Sequence, residues 1–398
     1  MIAFFLAPIY LLIIFYLLRW LLKWMKACHH IFNQKWIQAI IIFIVSFVAL
    51  SVLTSFMLPS SPFQRWLKLI SNYWLGTLLY IIMTVGIVDI IRLILRRFKW
   101  INQDKLRSRR TFVITGALSL ALILSLSIYG IYNAHNIRTT SYEVSIDKSA
   151  ADLASLNVVL VADLHLGYSI SNWHMTQMVD KINQMDADLV VIAGDIFDNQ
   201  YEALEDPEEL IKIFKDIEST YGVYACYGNH DVQEKILAGF TFNQNASKES
   251  DIRMDQLLDK ADITLLRDET VLIDNAFYLS GRPDHERPGR GITVRKTPAE
   301  LTAKLDHSKP IFIIDHEPLE LQELADAGAD LDLCGHTHDG QMFPGNLLTD
   351  LMWENSCGYL KKDNMHNIVT SGVGVFGPYM RVGTKSEICF IKVNFSTN

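Results

Sequence analysis

Asn157-Val158-Val159-Leu160-Val161-Ala162-Asp163-Leu164-His165 is the stretch that decides the fold. Its β-branched and apolar run is too short for a helix and carries no polar alternation, which predicts a strand buried on both faces. The run ends on a carboxylate and an imidazole one residue apart. The same pattern recurs downstream. Apolar runs at 189–193, 223–227, 311–314 and 331–333 lead into Gly194-Asp195-Ile196-Phe197-Asp198, Gly228-Asn229-His230-Asp231, Asp315-His316-Glu317 and, past Cys334, Gly335-His336-Thr337-His338.

Segments 173–185, 204–218 and 319–327 have helical spacing of apolar positions, so strands and amphipathic helices alternate. That predicts an α/β domain with helices covering a sheet, whose functional side chains gather past the carboxyl ends of the strands. One Asp-x-His is more often a cap or a hydrogen-bonded core pair than a site. Five polar strand ends in order exceed chance, and they are expected to converge on one edge. His336 and His338 sit between Gly335 and Gly340, which let a backbone turn closely around an ion.

The chain outside this pattern has a different composition. Of 398 residues, 50% are hydrophobic. Residues 1–134 hold 14 Lys/Arg and 2 Asp/Glu, a balance of +12, and the remaining 22 Lys/Arg and 42 Asp/Glu give −20. So acidic a remainder would repel a nucleic-acid backbone, and no nucleic-acid partner is expected. Five scattered cysteines without a Cys-x-x-Cys pair do not form a disulfide framework, and Cys334 reads as a small core residue.

Segments 2–22, 36–58, 74–95 and 111–132 are each about 20 mostly apolar residues, long enough to cross roughly 30 Å of hydrocarbon. Four transmembrane helices are predicted. The first lacks the basic start and small-residue cleavage site of a signal peptide. Basic residues crowd the first and third connecting loops, while the second has only Arg65 and Lys68. The positive-inside rule then places both termini outside the cytoplasm and the acidic domain on the extracytoplasmic side of the cytoplasmic membrane. Asp89 lies three residues before Arg92, the spacing of a helical ion pair at the interface rather than of a transport pathway. The expected organisation is a transmembrane region at 1–134, a linker and first strand at 135–155, and the α/β domain at 156–398.

The ordered series Asp163-x-His165, Gly194-Asp195-x-x-Asp198, Gly228-Asn229-His230-Asp231, His316 and Gly335-His336-x-His338 resembles the calcineurin-like metallophosphoesterases. Within that family the chain is most similar to a membrane-anchored bacterial branch, which also has a Gly-His-Thr-His-Gly-Gly-Gln turn and an Arg-x-Gly to Glu-Ile segment, here 381–388. The resemblance implies a four-layer αββα sandwich. It also implies one metal ion held by Asp163, His165, Asp195 and His338 and a second held by Asp195, Asn229, His316 and His336, with Asp195 bridging.

Carboxylate, imidazole and amide oxygen suit two divalent ions such as Mn, Fe or Zn. Ions about 3.5–4 Å apart can share a hydroxide and neutralise the oxygens of an in-line phosphoryl transition state. By the same resemblance His230 faces the substrate and protonates the leaving oxygen, with Asp198 holding its ring. Asp231 reads equally as a partner of that histidine or as a loop cap. Arg282, directly after a strand, is the candidate phosphate contact outside the metals. Phe343, Phe376 and Tyr379 are expected either in the site wall or in the core. Asp339 departs from the branch pattern, replacing the first glycine of the turn, and puts a negative charge where an anionic substrate arrives.

The expected activity is hydrolysis of a phosphodiester, phosphomonoester or pyrophosphate bond, in a lipid-linked or envelope substrate. The alternative is a catalytically silent membrane sensor that binds metal or a phospholigand.

Overall fold

The computed structural model describes residues 2–234, 236–237, 240–241 and 249–396. The chain divides into two compact units, one made of Met1–Ile131 with the short segments Ile236–Phe242 and Gly377–Met380, the other of the remainder.

The first unit holds helices α1 (Ile2–Cys28), α2 (Lys35–Met57), α3 (Pro62–Leu95) and most of α4 (Arg109–His135). All four are long and apolar enough to cross a membrane. Small side chains let the helices approach closely, as Ala49, Ser51, Ser55, Gly76 and Thr84 are all buried. Polar ties run between helices: Tyr10 donates to the Ala49 carbonyl at 2.7 Å and Trp74 Nε1 donates to Tyr10 at 2.9 Å. The third span is longer than its apolar core. Ser61 caps Gln64 and Pro62 fills the first turn, so the helix starts at Pro62 and takes in Arg65 and Lys68, read as loop residues in the sequence. Asp89 pairs with Arg92 at 3.8 Å, as its spacing predicts.

The second unit contains two six-stranded sheets. The strands in chain order are β1 (Ile137–Ile146), β2 (Ser155–Val161), β3 (Leu189–Ala193), β4 (Val223–Cys226), β5 (Ile263–Leu265), β6 (Glu269–Ile273), β7 (Phe277–Gly281), β8 (Ile311–Ile314), β9 (Leu331–Cys334), β10 (Gly358–Lys362), β11 (Met365–Val369) and β12 (Ser386–Phe395). One sheet runs β1-β12-β2-β3-β4-β5 and the other β10-β11-β9-β8-β7-β6. Val158 and Leu160 of the first sheet share one apolar core with Phe312, Ile314, Leu331 and Leu333 of the second, so the sheets pack face to face. Full burial of each such side chain contributes about 1.5–3 kcal/mol.

Alternate residues on the same strands face outward and are buried too. Ile311 and Ile313 pack on Leu321 and Leu324 of the helix Leu321–Asp326. Val159, Val161, Val190 and Ile192 are fully buried, as are Met175, Met178 and Ile182 of the helix Asn172–Asn183. The result is the expected sandwich with helical outer layers.

Strands β2, β3 and β4 run parallel, as do β8 and β9. Their carboxyl ends therefore open on a common edge within each sheet.

Candidate metal centre

The residues after these strands adopt conformations that unstrained loops avoid. Asp163, His165, Asp195, His336 and His338 all have positive φ, between 46° and 71°. Left-handed backbone costs a non-glycine residue about 1–2 kcal/mol. Five together persist only because the surrounding contacts over-determine them, a pattern that collects at functional sites. Asp163 N donates to the Gly194 carbonyl at 3.0 Å and His165 N to that of Asp195 at 2.9 Å, lacing the β2 and β3 loops together. Gly335 is needed for closeness rather than for φ, since a Cβ there would lie 2.5 Å from the Ala162 side chain and 2.8 Å from Asp163 Oδ2.

Two donor groups result. Asp163, His165 and His338 offer atoms within 4.8 Å of one another, and so do Asp195, His316 and His336. His165 Nε2 lies 3.0 Å from His338 Nε2, and His338 Nε2 is 3.8 Å from Asp163 Oδ1. In the second group His316 Nε2 and His336 Nδ1 are 3.1 Å apart, and each approaches Asn229 Oδ1, at 3.0 and 3.1 Å. Asp195 Oδ2 stands between the groups, 3.6 Å from His165 Nε2 and 3.2 Å from His316 Nε2. All seven residues singled out as ligands in the sequence meet here.

Neighbouring groups aim each ring. His316 Nδ1 is bonded to the Ala193 carbonyl at 2.9 Å, leaving Nε2 for the site. His336 Nε2 is 3.3 Å from Glu317 Oε1, which leaves Nδ1 facing inward. The fully buried Arg381 donates to His338 Nδ1 and to the carbonyls of His338, Ser371, Gly372 and Gly374. Arg287 donates to the Asn229 carbonyl at 3.1 Å while paired with Glu234.

Burial lowers the pKa of His165 to about 3, and burial with the His316 charge does the same for His336. Both rings are thus neutral with lone pairs available. Burial pushes Asp163 up to about 7. At Asp195 burial acts in the same direction, but His316 and His230 outweigh it and hold the carboxyl well below its usual range. Four converging imidazoles, two buried carboxylates and an amide oxygen, with no cysteine, fit borderline divalent cations.

His230 lies beside this centre, its backbone N donating to Asp195 Oδ1 at 2.7 Å. His230 Nδ1 is 2.6 Å from Asn199 Oδ1, and Asn199 directly follows Asp198, the partner expected for that ring. Asp198 stays close, with atoms of His165, Asp198 and His230 within 4.8 Å of one another. Asn199 is itself fixed, being buried and donating to the Val232 carbonyl at 3.1 Å. Asp231 is a loop cap, accepting from Phe197 N and Gly228 N at 2.8 and 2.7 Å. Phe376 forms part of the wall, its ring centroid 4.4 Å from that of His230 and 5.4 Å from that of His165. Trp353, unremarked in the sequence reading, stacks edge-on to His336 at 5.2 Å. Tyr379 is buried and Phe343 is partly exposed.

Arg282 does not serve as the phosphate contact predicted for it. It is fully buried, with Nη1 on Asp315 Oδ2 at 2.6 Å and Nη2 on Glu320 Oε2 at 2.5 Å, and Arg295 completes the same network. A buried guanidinium must be paired, and here both terminal nitrogens are committed to carboxylates. Cys334 is a core residue, as expected. Asp339 takes φ 51° and ψ 37°, a conformation glycine adopts freely and aspartate tolerates better than most residues. Burial and the nearby Asp350 push its carboxyl up to about 6.

Residues 156–340 match the family model described as calcineurin-like phosphoesterase. The chain is 28% identical over 373 residues to a Danio rerio transmembrane protein with metallophosphoesterase domain, covering 89% of this chain and 80% of that relative. It is also 28% identical over 358 residues to an uncharacterized metallophosphoesterase of Campylobacter jejuni, at 88% of each chain. An uncharacterized metallophosphoesterase of Bacillus subtilis is 26% identical over 312 residues, 74% of this chain and all of that one. The matched segment contains every strand end that feeds the two donor groups, and so the chain carries a calcineurin-like metallophosphoesterase domain and is a metal-dependent phosphoesterase.

Proposed function

We propose that this protein hydrolyses a phosphodiester, phosphomonoester or pyrophosphate bond with two divalent ions, Mn, Fe or Zn, on the outer side of the cytoplasmic membrane. Asp163, His165 and His338 would hold one ion, Asn229, His316 and His336 the other, and Asp195 would serve both. The observation that carries this reading is the position of Asp195 Oδ2, between the two buried donor groups and within 3.6 Å of an imidazole from each. When bound, such ions activate water and offset charge on the phosphoryl oxygens.

The protein's own groups do the rest. Asn199 Oδ1 accepts from Nδ1 of His230, which leaves Nε2 to carry a proton to the departing oxygen. Phe376 and Trp353 flank the site with aromatic rings, which limit water around the reacting phosphoryl group. Arg287 and Arg381 fix the loops that present Asn229 and His338.

Four helices able to cross a membrane support a substrate that is itself at the membrane, a lipid-linked or envelope phosphoester. The basic first and third loops support the extracytoplasmic orientation.

The test is hydrolysis by the full chain in detergent. After chelation, activity on chromogenic mono- and diesters and on pyrophosphate lipids is expected to vanish and to return with Mn²⁺, Fe²⁺ or Zn²⁺. Asn229→Ala and His338→Ala are expected to be inactive with every metal, and full activity in a variant lacking both would overturn the assignment. A reporter fused after the carboxyl terminus is expected to be active only outside the cytoplasm, and cytoplasmic activity would reverse the orientation.

A further inference from the structure

The helical unit has a cavity of about 970 Å³ between α1, the end of α3, the short helix Gln103–Arg107 and the start of α4. Its lining is one-sided in charge. Arg19, Lys23, Arg92, Arg96, Arg107 and Arg109 face it, against the single carboxylate Asp89. That carboxylate is already engaged, accepting from Tyr16 and paired with Arg92 at 3.8 Å.

Three of the cations are engaged, Lys23 lying over the Phe112 ring at 5.8 Å. Arg109 caps the end of α1, with Nε on the Ala27 carbonyl at 2.7 Å, and Arg92 bonds Thr115 and lies over the Phe112 ring at 5.1 Å. Arg19, Arg96 and Arg107 form no salt bridge among the described residues. Like charges gathered around one cavity repel each other unless an anion enters. The positive-inside rule accounts for basic residues at this end of the helices, yet not for their gathering. Lys26, Arg97, Lys99, Lys105 and Arg110 belong to the same loops and do not line the cavity.

We propose that this cavity binds a phosphate-bearing anion. Guanidinium forks match phosphate oxygens in pairs, and five of the six cations are arginines. The volume suits a small molecule or a lipid headgroup, and basic pockets between membrane helices are a recurrent mode of headgroup binding. Trp20, Leu93 and Phe112 add an apolar wall, where a lipid's acyl chain would lie and a free phosphate ion would gain nothing. This site is separate from the metal centre and does not depend on the reading of that centre.

The experiment uses the full chain in detergent at physiological ionic strength, with bound lipid counted by native mass spectrometry after titration with phosphatidylglycerol or phosphatidylcholine. Two double variants remove equal charge: Arg96→Gln with Arg107→Gln inside the cavity, and Arg97→Gln with Lys99→Gln outside it. Circular dichroism checks that both keep their helices, and Arg19→Gln gives a third, independent probe of the lining. Loss of the two lining cations is expected to weaken phosphatidylglycerol binding by roughly thirtyfold. The outer pair, screened by salt, is expected to change it by less than about threefold.

Inorganic phosphate is titrated in a parallel arm. Phosphatidylglycerol retained against phosphate identifies a lipid headgroup as the source, and equal protection by phosphate alone identifies the free ion. Equal losses in the two double variants, or phosphatidylcholine held as tightly as phosphatidylglycerol with no response to phosphate, would overturn the proposal.

Discussion

Replacing Asn199 tests how His230 is held. Its Oδ1 is 2.6 Å from His230 Nδ1, and its own amide is anchored on Val232, so the ring is oriented by a buried, fixed acceptor. Asn199→Ala removes that acceptor and leaves Nδ1 without its partner. The lost hydrogen bond is worth about 0.5–1.5 kcal/mol. The larger effect is that the ring is no longer aimed, and a misdirected general acid forfeits part of the roughly 10²–10⁴-fold that proton transfer contributes. A fall in kcat of about tenfold to a hundredfold is therefore expected for an alkyl phosphoester, whose leaving oxygen needs the proton. A p-nitrophenyl ester departs without help and is expected to lose less than about threefold, since only the acid step is impaired. Asn199→Asp keeps an acceptor in place and adds a charge that favours the imidazolium, so activity is expected to recover and the alkaline limb of the kcat profile to move to higher pH. The assay is kcat against pH for both esters, with metal content measured alongside. Equal losses for the two leaving groups, or loss of metal in Asn199→Ala, would refute the role given to Asn199.

Arg282→Met removes one of the two guanidiniums between Asp315 and Glu320, and breaking such a buried pair costs about 3–5 kcal/mol. Urea denaturation is expected to show a loss toward the lower end of that range, because Arg295 remains, while KM for phosphoesters stays within about threefold; a large rise in KM with unchanged stability would restore Arg282 as a substrate contact. Asp332 is fully buried, with Oδ1 lacking a partner, and burial together with the Asp315 charge pushes its carboxyl up to about 7. Its folded value lies above the unfolded one, so the stability present below pH 4 is lost as pH rises toward 7. Asp332→Asn is expected to melt at a higher temperature than wild type at pH 8 and to lose that advantage as pH falls toward 4; a difference that does not vary with pH would contradict this.

The strand ends were legible because each couples a short apolar run to an abrupt polar motif, and all seven proposed ligands lie in those motifs, the choice among the polar residues there coming from the family resemblance. Strand β12 was harder to see. It begins with Ser386 and Glu387, which are buried but satisfied, Glu387 by Ser371, Thr140 and Lys385, so its polar start hides a buried strand. Asn199 stands one residue past the expected partner Asp198, and no spacing rule separates neighbours on a loop. Arg282 looked like a phosphate ligand because its compensating carboxylates, Asp315 and Glu320, are 33 and 38 residues away in sequence. The start of α3 was lost for the same reason as β12, as polar residues there, Gln64, Ser71 and Asn72, are buried in contacts that hydropathy does not register.

Electron paramagnetic resonance of the full chain reconstituted with Mn²⁺ tests the shared-carboxylate centre most directly. A pair of ions joined through Asp195 is expected to give a spin-coupled signal, and Asp195→Asn is expected to give only isolated Mn²⁺ or none. Isolated Mn²⁺ in the wild type at saturation, or an unchanged coupled signal in Asp195→Asn, would contradict a dinuclear site built on that residue.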